Sequence, residues 1–463
     1  MDNFRFHVIR SNKLNIVFHP ESLSLFNVSD KMANALEAYE KLNSFEIQEL
    51  TDVNKRELQG IFNLFCKVEK TKNKDIDNGR VGELSKLVLL VSHDCNMKCK
   101  YCFAQEYKGK PYMDIKTAKK AVKTFLKLYP NKVKSILFFG GEPLLRFDVI
   151  KETVQFVNAF CQSCQITTPR FGIVTNGTLL TPQIIDFFQK YKFIVTVSLD
   201  GPSEVNDFQR VFPSGKGTHD QVVYNIRKAK ERNIRIGVEA TFTKKHIERG
   251  FSVKSTLKYL HEIGAKTIHL MPVYGMCGDL LLPKNRISDI KNSFKEGVSF
   301  ALDSLMTPEP IVFQYVHYII EALVTKIPVE YMCYAGIGTL TVDTNGNIYP
   351  CYLLMNEDLF MGNIFDHDFP GVHFLKVREL LQNHTREHIS QCRKCWAKEI
   401  CSSCYGIGFL INKSLTSPPE EFCDIQKAMI EETLVNLSEF RISPVLWRKF
   451  LKSLKSTYTH SFP

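Results

Sequence analysis

Between residues 87 and 275 the sequence alternates six short apolar runs with longer amphipathic stretches. The stretches, such as "DIKTAKKAVKTFLKLY", carry apolar residues at helical spacing with lysines on the opposite face. The runs are apolar almost throughout, as is typical of strands buried on both faces of a parallel sheet. They are "LVLLVS" (87–92), "ILFFGG" (136–141), "FGIVTNG" (171–177), "FIVTVSLD" (193–200), "IRIGVEATFT" (234–243) and "TIHLMPVYG" (267–275). Six such β/α units predict a right-handed TIM-like barrel, or part of one, with its chemistry at the carboxyl ends of the strands.

Different patterns flank this region and predict a separate domain on each side. Residues 1–80 combine the short runs "FRFHVI" and "KLNIVFH" with "SLFNVSDKMANALEAYEKL", which has helical spacing. They predict a small α+β domain, joined by the charged linker "EKTKNKDIDNGRVGE" to the barrel domain at 85–300. After the barrel, cysteines become dense and long elements rare, apart from a helix near 424–440. This predicts a metal-held domain over 325–435, followed by a C-terminal tail over 436–463.

Composition limits the class of protein. The chain has 463 residues, of which 44% are hydrophobic, enough for a substantial core in two or three domains. No apolar run is long enough to cross a bilayer, and the start "MDNFRFHVIRSNK" lacks the features of a signal peptide, so we expect a cytoplasmic protein without membrane contact. The net charge of +11 is spread along the chain and fits a solvated surface better than an acidic partner, and we expect no nucleic acid. In the cytoplasm the 14 cysteines would stay reduced, so metal binding explains them better than disulfides do.

Polar clusters follow the first four predicted strands, all at one rim of the expected barrel. They are Cys95, Cys99 and Cys102, then Gly140, Gly141, Glu142 and Pro143, then Asn176, then Ser198 and Asp200. The spacing C-x3-C-x2-C supplies three thiolates, whereas a closed zinc site needs four ligands and only His93 lies beside them. Three thiolates on a cubane iron–sulfur cluster would leave one iron open to a small molecule with an amine and a carboxylate. A zinc knuckle or three structural cysteines are the alternatives.

This spacing, with Tyr101 before the last cysteine, resembles the signature of radical S-adenosylmethionine (SAM) enzymes. The resemblance implies that Cys95, Cys99 and Cys102 hold a [4Fe–4S] cluster whose fourth iron binds the methionine end of SAM, with Tyr101 at the cofactor. An electron from the cluster would break a carbon–sulfur bond of SAM and leave a 5′-deoxyadenosyl radical, so the protein's task is to aim that radical.

The resemblance also gives a role to "GGEP", and the side-chain chemistry of the other rim residues makes them candidates for contacts with SAM. "GGEP" corresponds to the motif that holds the cofactor's amino group, with glycines that permit close approach and with Glu142 as the acceptor for an ammonium. Asn176, Ser198 and Asp200 are expected to hydrogen-bond the ribose and the carboxylate. Arg210 is the candidate for the carboxylate, which arginine matches bidentately. A loop or helix-capping role is the alternative for each of these last four residues.

A second group of cysteines lies in the C-terminal third. Its seven members are too many for one tetrahedral zinc and one too few for two. The pattern resembles the SPASM extension of radical SAM enzymes that act on peptides, which implies two auxiliary [4Fe–4S] clusters. By that resemblance one cluster takes Cys392, Cys395, Cys401 and Cys423, and the other takes Cys333, Cys351 and Cys404.

The sequence departs from the usual SPASM motif in two respects. Two residues rather than three separate Cys401 from Cys404, and no eighth cysteine lies just upstream of Cys333. The cluster with three cysteines could therefore keep an open iron for a substrate thiolate, or be closed by Cys277 or by a non-cysteine ligand. Zinc on the Cys392–Cys404 group is the alternative.

The SPASM resemblance implies a peptide or protein substrate. Residues 1–80 fall where maturases of ribosomal peptides carry a winged-helix-like domain that binds the leader of the precursor peptide as an added strand. A generic structural extension is the alternative. Within the family, "LVLLVSHDCNMKCKYCFAQEYKGK" and "FFGGEPLLRFDVI" most resemble maturases that join a cysteine sulfur to a carbon. The sequence thus predicts an oxidoreductase that installs thioether crosslinks, with an auxiliary cluster holding the thiolate or accepting the surplus electron.

Other functions are compatible with the same residues. Within the family, carbon–carbon crosslinking and the sulfatase-type oxidation of cysteine or serine are alternatives. Outside it, a zinc-bearing binding protein and an iron–sulfur electron carrier are alternatives, although a carrier would have no use for the "GGEP" and "SLDG" motifs. The radical chemistry implies an electron donor such as flavodoxin or ferredoxin.

Overall fold

The structure, a computed structural model, describes residues 5–41, 52–70, 84–107, 109, 111–275 and 278–458. In these ranges the chain forms a three-stranded sheet near the N-terminus and a nine-stranded sheet that contains the predicted barrel strands. No helix in the same ranges is both long and apolar enough to span a membrane.

The N-terminal domain is an antiparallel sheet covered by two helices. The strands lie in the order β1-β2-β3, and the helices follow them in the chain. The elements are β1 (His7–Arg10), β2 (Asn15–His19), β3 (Ser24–Val28), α1 (Asp30–Lys41) and α2 (Asp52–Lys70). The domain has an apolar core of its own, formed by Phe6, Val17, Leu36, Tyr39, Leu58, Ile61, Phe62 and Phe65.

The prediction of helical structure from residue 24 onward was wrong for its first five residues. Ser24–Val28 pairs with β2 along its whole length, and this ladder satisfies the backbone groups that a helix would otherwise pair. Helix α1 begins after Ser29, whose hydroxyl accepts a hydrogen bond from the Met32 amide at 3.2 Å. At the other end of the domain, α2 extends to Lys70, two residues into the predicted linker, and 71–83 lie outside the described residues.

The nine-stranded sheet contains all six predicted barrel strands, which are parallel and lie side by side in chain order. They are β4 (Lys86–Ser92), β5 (Ser135–Gly140), β6 (Arg170–Thr175), β7 (Ile194–Ser198), β8 (Ile236–Phe242) and β9 (Thr267–Pro272). The short β10 (Val312–Phe313) extends the sheet beside β9, and β11 (Thr339–Val342) pairs in parallel with β4 and antiparallel with β12 (Ile348–Tyr349). This singly wound order is that of a partial (β/α)6 barrel.

Helices connect these strands and continue into the C-terminal region. Their starts follow local capping rules: the Asp114 carboxylate accepts from the Thr117 amide at 2.6 Å, and Pro182 follows the capping residue Thr181. The helices of the barrel are α3 (Ile115–Leu128), α4 (Phe147–Cys164), α5 (Pro182–Lys190), α6 (Ser203–Gln209), α7 (His219–Glu231), α8 (Lys244–Glu248), α9 (Val253–Glu262), α10 (Ile287–Ser304) and α11 (Gln314–Thr325). Those of the C-terminal region are α12 (Val372–Gln382), α13 (Ser390–Arg393), α14 (Tyr405–Asn412), α15 (Glu420–Ile442) and α16 (Pro444–Tyr458).

The expectation of burial on both faces holds for β4, whose residues 87–92 are all buried, but was wrong for β8 and β9. In β8 every second residue, from Ile236 to Phe242, is buried, while Gly237, Glu239 and Thr241 between them are half-exposed. The same alternation occurs in β9. The helices cover only the outer face, whereas the inner face lines the open interior of the partial barrel, which we call the lumen.

The C-terminal region is joined to the barrel and also carries the N-terminal domain. It shares the continuous sheet through β11 and packs α15 along α10. The ring of His7 stacks on Trp396 with centroids 3.9 Å apart, and the Arg5 guanidinium donates to the carbonyl of Cys395 at 3.4 Å. The N-terminal domain is therefore in contact with the segment that bears the last group of cysteines.

Candidate functional site

The loop after β4 brings together Cys95, Cys99 and Cys102. The amides of Lys98 and Lys100 donate to the carbonyls of Val211 and Gln209, at 2.7 and 2.9 Å, which fixes the loop against the end of α6. Burial raises the pKa of the Cys99 thiol to about 12, and its neighbours Cys102 and Cys95 add to the rise. Three thiols that interact in this way form a donor set with one position left for another ligand, which fits an open [4Fe–4S] cluster.

Gly140 and Gly141 allow the second rim turn to contact the cysteine loop. A Cβ on Gly140, whose φ is +139°, would lie 2.0 Å from the Ser92 carbonyl oxygen, and one on Gly141 would lie 2.4 Å from that of Asp94. The amides of Gly141 and Glu142 donate to these same two oxygens, each at 2.8 Å. The glycines therefore permit close approach of two backbone segments, and a buried Pro143 begins the short helix that follows.

Glu142 is completely buried and ties the ends of β5 and β6 together. Its carboxylate accepts from the Leu144 amide at 3.0 Å, the Thr175 hydroxyl at 2.7 Å and the Asn176 amide at 2.7 Å. Burial raises the pKa of this carboxyl to about 6. A carboxylate has about four acceptor positions, so capacity for one further donor remains.

Asn176 contacts the cysteine loop directly. Its side-chain amide donates to Asn96 Oδ1 at 2.8 Å and to the sulfur of Cys95 at 3.7 Å. Its Oδ1 accepts from the amide and hydroxyl of Thr178, at 2.9 and 2.7 Å. The side chain thus holds the first cysteine in place, and contact with a ribose remains a prediction.

Tyr101, Asp200 and Arg210 form a buried network behind Cys99. The Tyr101 hydroxyl donates to the Asp200 carboxylate at 2.7 Å and accepts from Arg210 Nη1 at 2.7 Å. Asp200 also accepts from Gln209 Nε2 at 2.6 Å and from the Thr241 amide at 2.9 Å. Arg210 and Asp200 therefore contact the cluster loop through Tyr101, and direct contact with SAM stays a prediction.

Three residues of this region were not predicted from the sequence. They are Gln209, Thr241 and Glu239, the last of which pairs with Ser198 across two strands. Gln209 and Thr241 carry no motif and reach Asp200 only through the fold. Ser198 itself lies half-buried at the end of β7, in register with Glu239.

The seven C-terminal cysteines separate into two groups in space. Burial raises the pKa of Cys351, with further rises from Cys404 and Cys333. These three cysteines therefore lie close together. The other four cysteines form the second group, which is Cys392, Cys395, Cys401 and Cys423. Burial raises the pKa of Cys392 to about 11 and that of Cys423 to about 12, and other cysteines of this group add to both rises.

Across the part of the chain that the structure describes, no group of three or more His, Cys, Asp or Glu side chains is arranged to hold a metal ion. Cys277, one candidate for closing the group of three, lies outside the described residues.

Stacked aromatic rings connect the two cysteine regions. Tyr352, directly after Cys351, stacks on Phe139 with centroids 4.2 Å apart and on Phe103 with centroids 5.9 Å apart. Phe103 follows Cys102, and Phe139 precedes Gly140. The first cysteine loop, the "GGEP" turn and the group of three cysteines therefore meet around one ring.

The lumen beside this stack is lined by charged side chains. Glu239 Oε1 lies 3.9 Å from His269 Nδ1 on the neighbouring strand, and the Glu239 side chain is 42% exposed. Burial lowers the pKa of Lys86 on β4, while Cys351 and Glu239 oppose this fall. A charged residue inside an otherwise apolar strand, as in "IGVEATF", is the feature by which the sequence could have indicated a lumen-facing side chain.

Two sequence profiles match the chain in these regions. The radical SAM superfamily matches residues 89–247, and the SPASM iron–sulfur cluster-binding domain matches residues 333–396. The matches include the first cysteine loop, the "GGEP" turn and the start of the second cysteine group.

The chain is similar to proteins of known and unknown role. An uncharacterized protein of Methanocaldococcus jannaschii is 32% identical over 62% of this chain and 91% of its own length. A cysteine-type anaerobic sulfatase-maturating enzyme of Clostridium novyi is 22% identical over 77% of this chain and 96% of its own. AlbA, the antilisterial bacteriocin subtilosin biosynthesis protein of Bacillus subtilis, is 24% identical over 70% of this chain and 67% of its own.

Two solved structures have a similar fold. The enzyme anSMEcpe with bound AdoMet and the Kp18Cys peptide has a TM-score of 0.64 and 20% identity, covering 77% of this chain and 99% of its own. Streptococcus suis SuiB bound to the precursor peptide SuiA has a TM-score of 0.54 and 17% identity, covering 91% and 99%. The two solved structures share the fold, and the two profile matches indicate the cofactors, which are [4Fe–4S] clusters and SAM. The chain belongs to the radical SAM superfamily and carries a SPASM iron–sulfur cluster-binding domain.

Proposed function

We propose that the chain is a peptide maturase that forms thioether crosslinks, from a cysteine sulfur to a carbon, in a ribosomally made precursor peptide. The observation that carries the proposal is the group of three thiols, Cys333, Cys351 and Cys404, beside a charged lumen. Three thiols leave a position at which a substrate thiolate can bind. The similarity to a subtilosin biosynthesis protein and the fold shared with a structure that holds a precursor peptide support the same substrate class.

In this proposal each cysteine group holds one cluster. The first loop holds the cluster that binds SAM, and the C-terminal cysteines hold two auxiliary clusters in the four-plus-three grouping. When bound, these groups supply the 5′-deoxyadenosyl radical that removes a hydrogen atom from the peptide and an acceptor for the surplus electron. The "GGEP" turn, Asn176, Ser198, Asp200 and Arg210 are proposed to orient SAM.

A side chain in the lumen is needed to accept the proton that crosslinking releases. Formation of the crosslink replaces a C–H and an S–H bond of the peptide with a C–S bond. With the cofactors bound, the hydrogen atom would leave on 5′-deoxyadenosine and the surplus electron would pass to an auxiliary cluster held by these cysteines, while the thiol proton needs a base. Glu239 lies on the half-exposed face of β8 and, like Cys351, affects the pKa of Lys86; we assign it as that base, with His269 at 3.9 Å as its partner.

The N-terminal domain is proposed to bind the leader of the precursor. Its sheet ends at β3 on one side, so an extended leader can add a strand there through main-chain hydrogen bonds. Contacts of the same domain with Cys395 and Trp396 bring a bound leader close to the SPASM domain. The acceptor residue of the peptide would then reach the lumen from that side.

Oxidation of a cysteine or serine, as in sulfatase maturation, is the second candidate. It is favoured by the similarity that extends over 96% of a sulfatase-maturating enzyme. Electrons for either reaction would come from a carrier such as flavodoxin or ferredoxin.

The test is anaerobic incubation of the reconstituted enzyme with SAM, a reductant and candidate precursor peptides from open reading frames near its gene. We expect the peptide to lose two hydrogen atoms per crosslink and its cysteine to resist alkylation. Fragmentation would place the sulfur on another residue. A modified peptide whose cysteine still alkylates would favour carbon–carbon crosslinking, and an aldehyde product would favour the sulfatase-type reaction.

A further inference from the structure

Arg386 lies between the two groups of C-terminal cysteines. It is 2% exposed and begins a single helical turn, Arg386–His388, just before α13 and Cys392. Its Nη2 donates to the Cys401 carbonyl at 2.6 Å and to the Ser403 hydroxyl at 3.2 Å, and its Nε donates to the Tyr331 carbonyl at 3.2 Å. The guanidinium is thus held rigidly by three neutral oxygens.

The positive charge has no acidic partner in the described part of the chain. The nearest carboxylates along the sequence are committed elsewhere, since Glu387 pairs with Lys398 and Glu399 pairs with Arg5. Burying a guanidinium without an opposite charge is costly, and proteins rarely retain one without compensation. A source of negative charge is therefore expected beside Arg386 in the working protein.

The cysteine groups on both sides can supply that charge. The Tyr331 carbonyl that accepts from Nε lies two residues before Cys333, which belongs to the group of three, and the Cys401 carbonyl that accepts from Nη2 belongs to the group of four. In line with this geometry, Arg386 opposes the rise in pKa that burial causes in the Cys333, Cys392 and Cys395 thiols. Thiolates that hold iron–sulfur clusters would place negative charge on both sides of the guanidinium.

We propose that Arg386 is a positioning residue that compensates the charge of both auxiliary clusters and raises their reduction potentials. The proposal rests on the assignment of the seven cysteines to two clusters made above. Reduction adds an electron to a group that is already anionic, so a fixed cation nearby stabilises the reduced form more than the oxidised form. A higher potential suits clusters that must accept an electron from the substrate radical.

The test uses the full-length chain with Cys95, Cys99 and Cys102 replaced by alanine, so that only auxiliary clusters remain. Arg386→Gln removes the charge, Arg386→Lys keeps it, and Arg393→Gln removes an exposed charge next to Cys392 as the matched control. Each variant is reconstituted anaerobically, assayed for iron and sulfide, and titrated potentiometrically with EPR detection.

We expect Arg386→Gln to lower the potentials of both clusters, with at least a tenfold fall in the ratio of reduced to oxidised cluster at fixed potential, which is about 59 mV for one electron. Arg386→Lys should retain most of the wild-type potential, and Arg393→Gln should show no shift. If Arg386→Gln loses its clusters while Arg386→Lys keeps them, charge compensation is supported as well.

Three results would overturn the proposal. The first is wild-type potentials in Arg386→Gln at full iron content. The second is the same fall or the same loss of clusters in Arg386→Lys, which would make packing rather than charge the role. The third is much less than about eight irons in the parent protein, which would contradict the two-cluster assignment itself and so is distinguishable from the first two.

Discussion

At the scale of single residues, the rim side chains act mainly on the cysteine loop. Asn176 contacts Cys95 and Asn96, and Asp200 and Arg210 reach the loop through Tyr101. Replacing a side chain that orients a metal ligand typically lowers metal affinity or activity by about 10- to 100-fold. These residues are therefore expected to matter for the cluster even where they do not contact SAM.

Asn176→Ala should weaken the first cluster because it removes the bonds to Asn96 and to the Cys95 sulfur. We expect SAM cleavage without peptide to fall by about tenfold or more. The measurement is 5′-deoxyadenosine release together with iron content. Asn158→Ala on α4, which removes a bond to the Val154 carbonyl, is the control and should cleave SAM at the wild-type rate. Equal rates in both variants would exclude a positioning role for Asn176.

Glu239→Gln should uncouple SAM cleavage from crosslinking because the amide cannot take the thiol proton. Loss of a general base typically lowers a rate by about 10²- to 10⁴-fold, so we expect crosslinked peptide to fall within that range while 5′-deoxyadenosine release is retained. Both products are quantified in one chromatographic run. Glu262→Gln on the surface of α9 is the control. Retention of crosslinking by Glu239→Gln would remove Glu239 as the base.

At the scale of elements, the close contact between two βα turns holds the rim together. The backbone of Gly141 lies so near that of Asp94 that a Cβ does not fit without movement of the chain. Gly60, in contrast, lies on an exposed face of α2 with no atom within 4 Å of its missing Cβ. The two glycines make a matched pair for the same substitution.

Gly141→Ala should lower the free energy of unfolding by about 1–3 kcal/mol because the two turns must separate. Gly60→Ala should raise it by roughly 0.5–1 kcal/mol because alanine loses less conformational entropy in a helix. Urea unfolding monitored by circular dichroism measures both. A Gly141→Ala variant as stable as wild type would show that the turns can move apart freely.

The elements also show what the sequence could and could not predict. The six barrel strands were predictable because their apolar residues form compact runs between helical patterns, and the cysteine loop because its spacing is specific. The strand at Ser24–Val28 was missed because five residues fit either period, and pairing with β2 decided between them. Tyr352 and Arg386 could not be found, since their neighbours come from distant parts of the chain.

At the scale of the whole molecule, the N-terminal domain and the auxiliary cysteines form one continuous assembly. His7 and Phe18 of that domain both pack on Trp396, next to Cys395. If the domain binds the leader, this contact sets the distance between the leader and the lumen. The chain contains two tryptophans, and the other, Trp447, packs on Phe450 in α16.

If the N-terminal domain binds the leader, Trp396→Ala should impair modification of the full precursor because that domain loses its contact with the SPASM domain. We expect a lower rate of crosslinking with the full precursor and an unchanged, low rate with a core peptide that lacks the leader. Mass spectrometry of both reactions provides the comparison, with Trp447→Ala as the control. A wild-type rate with the full precursor would show that this contact plays no part in substrate delivery.

The most direct test of the whole account is an anaerobic determination of iron and sulfide in three reconstituted proteins. They are the wild type, the alanine variant of Cys95, Cys99 and Cys102, and the alanine variant of Cys333, Cys351 and Cys404. Separate cubanes predict about twelve irons in the wild type and about eight in each variant. Zinc with little iron, or loss of all iron from either variant, would contradict the assignment of three independent clusters.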